Sequence, residues 1–188
     1  MKYRIYQISQ NPTDPHTIKC LEMDLCPSFD GSEIEDGVLT KLEFEINENP
    51  LIESDFYYLH GGVLIFNDKV YDSELFTSFE FAGQIFPLNV VNSSDKIYCT
   101  NITNCVNILD INKSEFGAEY EDGEKEILKH IFKPNRISTI ESLFKLPQDG
   151  SRSIYCLSPG DQHDFFKDYK KEKLRGLSFH EIAIFKNL

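Results

Sequence analysis

The sequence predicts an α+β fold: a single domain of mixed and antiparallel sheet with two helices. Three observations predict it. Apolar and polar residues alternate at strand spacing along much of the chain. Two segments instead carry apolar residues at helical spacing, Val70, Leu75, Phe76 and Phe79 in one and Phe165, Phe166, Tyr169 and Leu174 in the other. Each helical segment follows a strand and a capping residue and precedes a glycine and another strand, giving two similar strand-helix-strand halves.

In order, residues 2–8 alternate as a first strand, which Asn11, Pro12 and Pro15 close. Residues 18–25 read as a second strand, with Cys20 among its apolar residues. An acidic, turn-rich loop follows, carrying Asp30, Glu33, Glu35 and Asp36. Leu42, Phe44 and Ile46 alternate with Lys41, Glu43 and Glu45, the pattern of a half-exposed strand. Residues 56–59 are short and apolar, and His60-Gly61-Gly62 turns into the apolar run 63–66.

Residues 63–116 organise the chain. Asn67 and Asp68 suit a helix N-cap, and Gly83 ends the helix. Strands over 85–91, 96–100 and 106–109 then form an antiparallel meander. The segment 115–126 is the most acidic, with Glu115, Glu119, Glu121, Asp122, Glu124 and Glu126 against Lys125. Asp122-Gly123 signals a hairpin turn. Residues 127–133 fit a helix by spacing, and the hairpin signal before them favours a strand. Residues 143–146 and 153–157 are strands. Ser158 caps the last helix, Pro159 suits its first position and Asp161 completes a capping-box-like pair. Lys167, Lys170, Lys171, Lys173 and Arg175 lie toward its C-terminal end, where the dipole favours cations. Gly176 stops it, and 177–185 is the final strand. Phe86 and Phe179 each stand three residues past the stop glycine. Duplication and chance return of a common motif both account for this echo.

The chain of 188 residues suits one domain, 1–188, with 40% hydrophobic residues for its core. Lys plus Arg is 19 and Asp plus Glu is 31, a formal charge of −12. Residues 1–150 hold 12 basic and 26 acidic side chains, and 151–188 hold 7 and 5. This field disfavours nucleic acid and anionic membrane and favours a basic partner; solubility alone is the other reading of the same charge. Residues 1–10 are too polar for a signal-peptide core, and no apolar run nears a membrane span, so a cytoplasmic protein is expected. Five cysteines, with Cys20/Cys26 and Cys99/Cys105 spaced too widely for a zinc knuckle, predict buried free thiols.

Catalytic signatures are missing from the sequence. His16, His60, His130, His163 and His180 are scattered, and none pairs at helical metal-site spacing. There is no nucleophile elbow and no phosphate loop. Cys156, just before a helix start, is the thiol best placed for activation, though an apolar strand makes it a core residue first. The basic stretch 167–175 is interleaved with Asp168 and Glu172, as on a solvated helix face. The residues thus imply no catalytic, cofactor-binding or metal site.

A resemblance goes further. Leu64-Ile65-Phe66-Asn67-Asp68 is a strand leading into a polar cap. Gly83-Gln84-Ile85-Phe86-Pro87-Leu88 is a glycine before an aromatic strand ending in proline. Tyr98-Cys99-Thr100-Asn101, the run from Val106 through Asp110 to Ser114, Ile131-Phe132-Lys133-Pro134, Leu143-Phe144-Lys145-Leu146-Pro147 and Leu174-Arg175-Gly176-Leu177-Ser178-Phe179 follow in order. This order resembles a family of bacterial polymorphic-toxin immunity proteins, formerly a domain of unknown function. Lys133 and Lys145 replace the family's arginines, Lys173 stands at a glycine position, and Asn67-Asp68 replaces a serine cap. The match covers roughly 60–184; residues 1–59 show none. The resemblance favours the strand over 127–133.

It implies a non-enzymatic immunity protein that binds and neutralises a cognate toxin in the cytoplasm, without cofactor, nucleic acid or membrane. An enzyme or small-ligand protein is the alternative; it needs a cleft where His60 or His163 meets Cys156 or a carboxylate. A third is a scaffold module that self-associates through an exposed strand. The expected partner contact is Glu119, Glu121, Asp122 and Glu124 on the acidic hairpin, with the loop 30–36 as a second; a solvated loop is the plain alternative.

Overall fold

A computed structural model of the chain describes every residue except 1, 15, 49–50, 121–122, 140, 160–163 and 187–188. The first strands are β1 (Lys2–Gln10), β2 (Thr17–Cys20), β3 (Glu43–Asn47), β4 (Phe56–Tyr57) and β5 (Val63–Asn67). Helices α1 (Asp68–Tyr71) and α2 (Phe76–Ala82) lead to β6 (Gly83–Val90) and β7 (Ile97–Ile102). Strands β8 (Glu115–Glu119), β9 (Lys125–Lys129), β10 (Leu143–Phe144) and β11 (Ile154–Ser158) precede helix α3 (Phe165–Lys171) and strand β12 (Leu177–Lys186). The α+β class holds, with strand dominating.

Six strands form one sheet in the order β2-β3-β6-β7-β5-β4. Its two ends nearly meet. Thr17 bridges Tyr58, the Ile18 N–H donates to Tyr58 O at 2.8 Å, and the Tyr58 N–H donates to His16 O at 3.1 Å. The sheet is therefore a nearly closed barrel. Alternation fills it: Val63 and Ile65 of β5, Ile97 and Cys99 of β7, Phe86 of β6, and Phe44 and Ile46 of β3 share one buried cluster. The intervening Leu64 and Phe66 point outward into a second cluster with the helices.

The second sheet, β10-β11-β1-β12, turns its other face the same way. Tyr6, Ile8, Ile154 and Cys156 join the helix cluster, while Ile5, Tyr155 and Leu157 face a third core with Leu109 and Phe132. The helices are thus the layer between barrel and sheet, and Phe79 of α2 meets Phe165 of α3 edge-on with centroids 5.6 Å apart.

Both halves have the same plan. Strands β5 and β6 flank β7 and pair antiparallel with it; β11 and β12 flank β1 likewise. Each helical link joins two strands that leave room for a third between them. Each also ends on a glycine with a packing reason. A Cβ on Gly83, whose backbone is extended, would strike the Asn101 carbonyl of β7. Gly176 has φ +109°, and a Cβ there would lie 2.5 Å from Ser54 Oγ.

Several details depart from expectation. The first helix is two: the Ser73 hydroxyl donates to Val70 O at 2.7 Å and accepts from the Leu75 N–H at 3.2 Å, which breaks the helical ladder. Asn67 does cap α1, accepting from the Val70 N–H. The cap of α3 is Asp164, not Ser158; Ser158 ends β11 and donates to Asp164 Oδ2 at 2.6 Å. Asp161 and His163 lie outside the described residues. Residues 106–109 are no meander strand, because only single bridges, Cys105 to Lys145 and Leu109 to Phe132, hold the surrounding run. Strand β2 stops at Cys20, where the chain turns into a 3-10 helix, Met23–Leu25. Cys20, Cys99 and Cys156 are buried free thiols, while Cys26 is half-buried and Cys105 exposed.

Candidate functional site

The acidic hairpin forms as expected. Strands β8 and β9 pair antiparallel, and the Tyr120 N–H donates to Glu124 O at 2.7 Å near the tip. Its charges are partly matched: Glu119 meets Lys125 at 3.4 Å and Glu115 meets Lys129 at 2.8 Å. Lys125 is therefore not the sole local cation. The Arg152 guanidinium also lies 4.2 Å over the Tyr120 ring, which ties the hairpin to the sheet. Glu121 and Asp122 lie outside the described residues.

On the β9 side of the hairpin, Glu124 borders a cleft of about 550 Å³. Glu124 lines it together with Asp30, from the second acidic segment, and with His60, Ser151 and Arg152. Among the described residues, the two acidic segments singled out in the sequence thus reach one cleft through one carboxylate each. The hydrogen bond from the Ser32 N–H, at 3.0 Å, holds the Asp30 carboxyl below its ordinary value. Ser151 sits at φ +57°, a strained value for a residue with a Cβ, and its hydroxyl is 3.3 Å from Cys105 Sγ. His60 contacts the Gly61 carbonyl at 3.1 Å and stacks obliquely near Phe29.

Next to the cleft wall lies a buried cation. Lys145 is fully buried, and its Nζ donates to Phe29 O at 2.6 Å. Burial lowers its ammonium to about 8. The bond joins the start of the acidic loop, which packs on the barrel, to the end of β10 in the second sheet. A smaller depression of about 200 Å³ shares Arg152 with the cleft and holds a polar chain. The Tyr155 hydroxyl donates to Asp149 Oδ2 at 2.9 Å, and His130 Nε2 lies 3.1 Å from that hydroxyl. Because Tyr155 gives its proton to Asp149, Nε2–H is the donor to Tyr155. Burial lowers His130 to about 4, so the ring is neutral at physiological pH. Asp14 and His16 make a further buried pair at 2.8 Å.

Cys156 does not meet the requirement for a nucleophile. Its thiol is fully buried, and burial, with the Asp164 carboxylate beside it, pushes its ionisation well up. Among the described residues, no three His, Cys, Asp or Glu side chains stand close enough to hold a metal ion, and no helix is long and apolar enough to cross a membrane. Sequence reading missed Lys145 as a joint and missed the His130–Tyr155–Asp149 chain. A lysine inside the apolar run from Leu143 to Leu146 was the available signal for the first. The second had no signal, because its members come together only in the fold.

The family-like motifs meet each other in pairs. The strand beginning at Gly83 pairs with the strand holding Tyr98. The Lys133 N–H donates to Ile108 O at 2.8 Å and the Asp110 N–H to Ile131 O at 2.7 Å, joining two further motifs. The Val106 N–H donates to Lys145 O at 3.0 Å. These motifs build the fold's interior joints. Protein-family models give no match to the chain, and a search of curated proteins gives none either.

Proposed function

We propose that this protein is a bacterial immunity protein of the polymorphic-toxin type, which neutralises a cognate toxin in the cytoplasm by binding it. The ordered series of motifs from Leu64 to Phe179 carries the reading. Their pairwise contacts support it, because segments that recur in order should be those that touch in a shared fold. Since the motifs serve interior joints, the toxin meets other surface, and much of that surface is acidic. Asp24, Glu33, Glu35 and Asp36 are exposed and make no ion pair among the described residues. The hairpin with Glu119, Glu121, Asp122 and Glu124 is a second acidic contact. A basic toxin is drawn to such a field, and a substrate groove built for phosphates accepts carboxylates.

The test is coexpression with the toxin encoded by the neighbouring gene. Cells making both proteins survive, and cells making the toxin alone die. Death in both cases refutes the reading. The Arg152 cleft, with Asp30, His60 and Glu124, favours small-ligand binding as a second reading. Rescue that persists after Asp30→Ala and His60→Ala together leaves the cleft out of neutralisation.

A further inference from the structure

Most large apolar side chains exposed on this protein stand apart from one another in the sequence. Among the described residues the exceptions are the adjacent pair Leu51 and Ile52 and one turn that carries three. Leu21, Met23 and Leu25 are exposed to 44, 64 and 66% within five residues. The residues at either end of the turn point the other way: Cys20 is buried in the barrel core, and Cys26 packs against it half-buried. Backbone bonds fix the turn between them. The Leu21 N–H donates to Glu43 O at 2.8 Å, the Leu25 N–H to Glu22 O at 2.9 Å and the Cys26 N–H to Met23 O at 3.3 Å. The Glu22 carboxylate accepts from the Glu43 N–H at 3.0 Å. The three apolar side chains therefore stand on a rigid base, and little backbone ordering remains to oppose docking.

The surroundings state what would cover them. Residues 19–48 hold nine carboxylates against Lys19 and Lys41, and Lys19 pairs with Glu45 at 2.6 Å. Glu22 and Asp24 stand between the three apolar residues in the turn itself. Apolar residues interleaved with carboxylates, in a mainly acidic stretch of chain, give the composition of an interface hot spot with a steering rim. A second copy of this acidic chain would meet its own charge there. A nucleic acid or an anionic lipid surface would be repelled.

We infer that residues 20–26 form a preformed apolar knob that enters a pocket ringed by lysine and arginine on a basic protein, the toxin; the inference rests on the immunity reading. The knob sits on the barrel, within residues 1–59, which share none of the family-like motifs. Its own contribution is the slow dissociation that apolar burial gives, and the carboxylates contribute fast association.

The experiment measures binding kinetics of the full chain to the purified toxin of the neighbouring gene. The variant Leu21→Ser, Met23→Ser, Leu25→Ser should dissociate about a hundredfold faster while melting close to the wild-type temperature, because Met23 and Leu25 are largely in water already and Leu21 nearly half so. Met23→Arg is the second variant, and it decides the matter if the triple variant misfolds. It sets a cation against the cationic ring and should weaken binding about tenfold or more. Reversal of Asp24, Glu33, Glu35 and Asp36 to lysine should slow association about tenfold or more at low salt. Wild-type affinity in either apolar variant overturns the knob and leaves the immunity reading standing. No binding by the wild-type chain overturns both.

Discussion

Lys145 shows how much one side chain decides here. A buried lysine with no ion pair among the described residues is costly, yet its bond to Phe29 O joins a loop on the barrel to the second sheet. Burial places its folded-state value at about 8, below its ordinary 10.5. Between those values the unfolded chain holds more protons, so this group's contribution to stability grows as pH rises from about 8 to 10.5. The buried thiol of Cys99 and phenol of Tyr57 are pushed up and act in the opposite sense above about pH 9. The difference between wild type and Lys145→Met isolates the lysine. Measured by denaturant unfolding across this range, it should shift toward the wild type by up to about 3 kcal/mol. A difference independent of pH contradicts the assignment. The site was half legible at this scale. Lysine within an apolar run marks a buried cation, but its partner, Phe29, is remote in sequence. Leu21, Met23 and Leu25 misled for a local reason: their alternation reads as a strand, while the antiparallel partner β3 begins only at Glu43, beside Cys20.

At the scale of elements, local chemistry was a good guide wherever the deciding contact was local. Asn67 caps the first helix because its side chain reaches the Val70 N–H. Val63 to Phe66 form a strand buried on both faces, hence a continuous apolar run. Elements were misread where a distant partner decided. Residues 106–109 are apolar enough for a strand, but they cover the second sheet instead of joining one. Ser158 has the chemistry of a cap and is claimed by β11, which leaves Asp164 to start the helix. The stop glycines are the elements' strictest requirement. Gly83→Ala should cost about 2 kcal/mol or more, since the added carbon meets the backbone of β7 rather than a movable side chain. Gly123→Ala, with open space around the added carbon, should cost about 1 kcal/mol through its left-handed φ alone. Equal unfolding midpoints for the two variants would contradict this account of the helix-to-strand step.

Across the whole molecule, the two strand-helix-strand halves were legible because each repeats a local order of strand, cap, helix and glycine. Closure of the barrel was not. It depends on Thr17 finding Tyr58 and on β3 pairing in parallel with β6 at Glu43 and Asn89, contacts that no local pattern encodes. The resulting architecture keeps its family-like motifs at interior joints and leaves most of its carboxylates outside, Asp14, Asp55, Asp149 and Asp164 being buried, which suits a protein that acts by presenting a surface. Reversing Glu119, Glu121, Asp122 and Glu124 together to lysine should therefore slow association with the toxin and flatten its salt dependence, with the fold intact. Association unchanged at low salt removes the hairpin from the interface. The central claim, neutralisation by binding, is tested most directly by titrating the purified toxin's activity with this protein. Binding predicts a linear fall that ends at a fixed stoichiometric equivalence and is restored when the complex is dissociated. Loss of toxin activity at far less than one equivalent, increasing with time, would mean catalytic inactivation and would contradict the account.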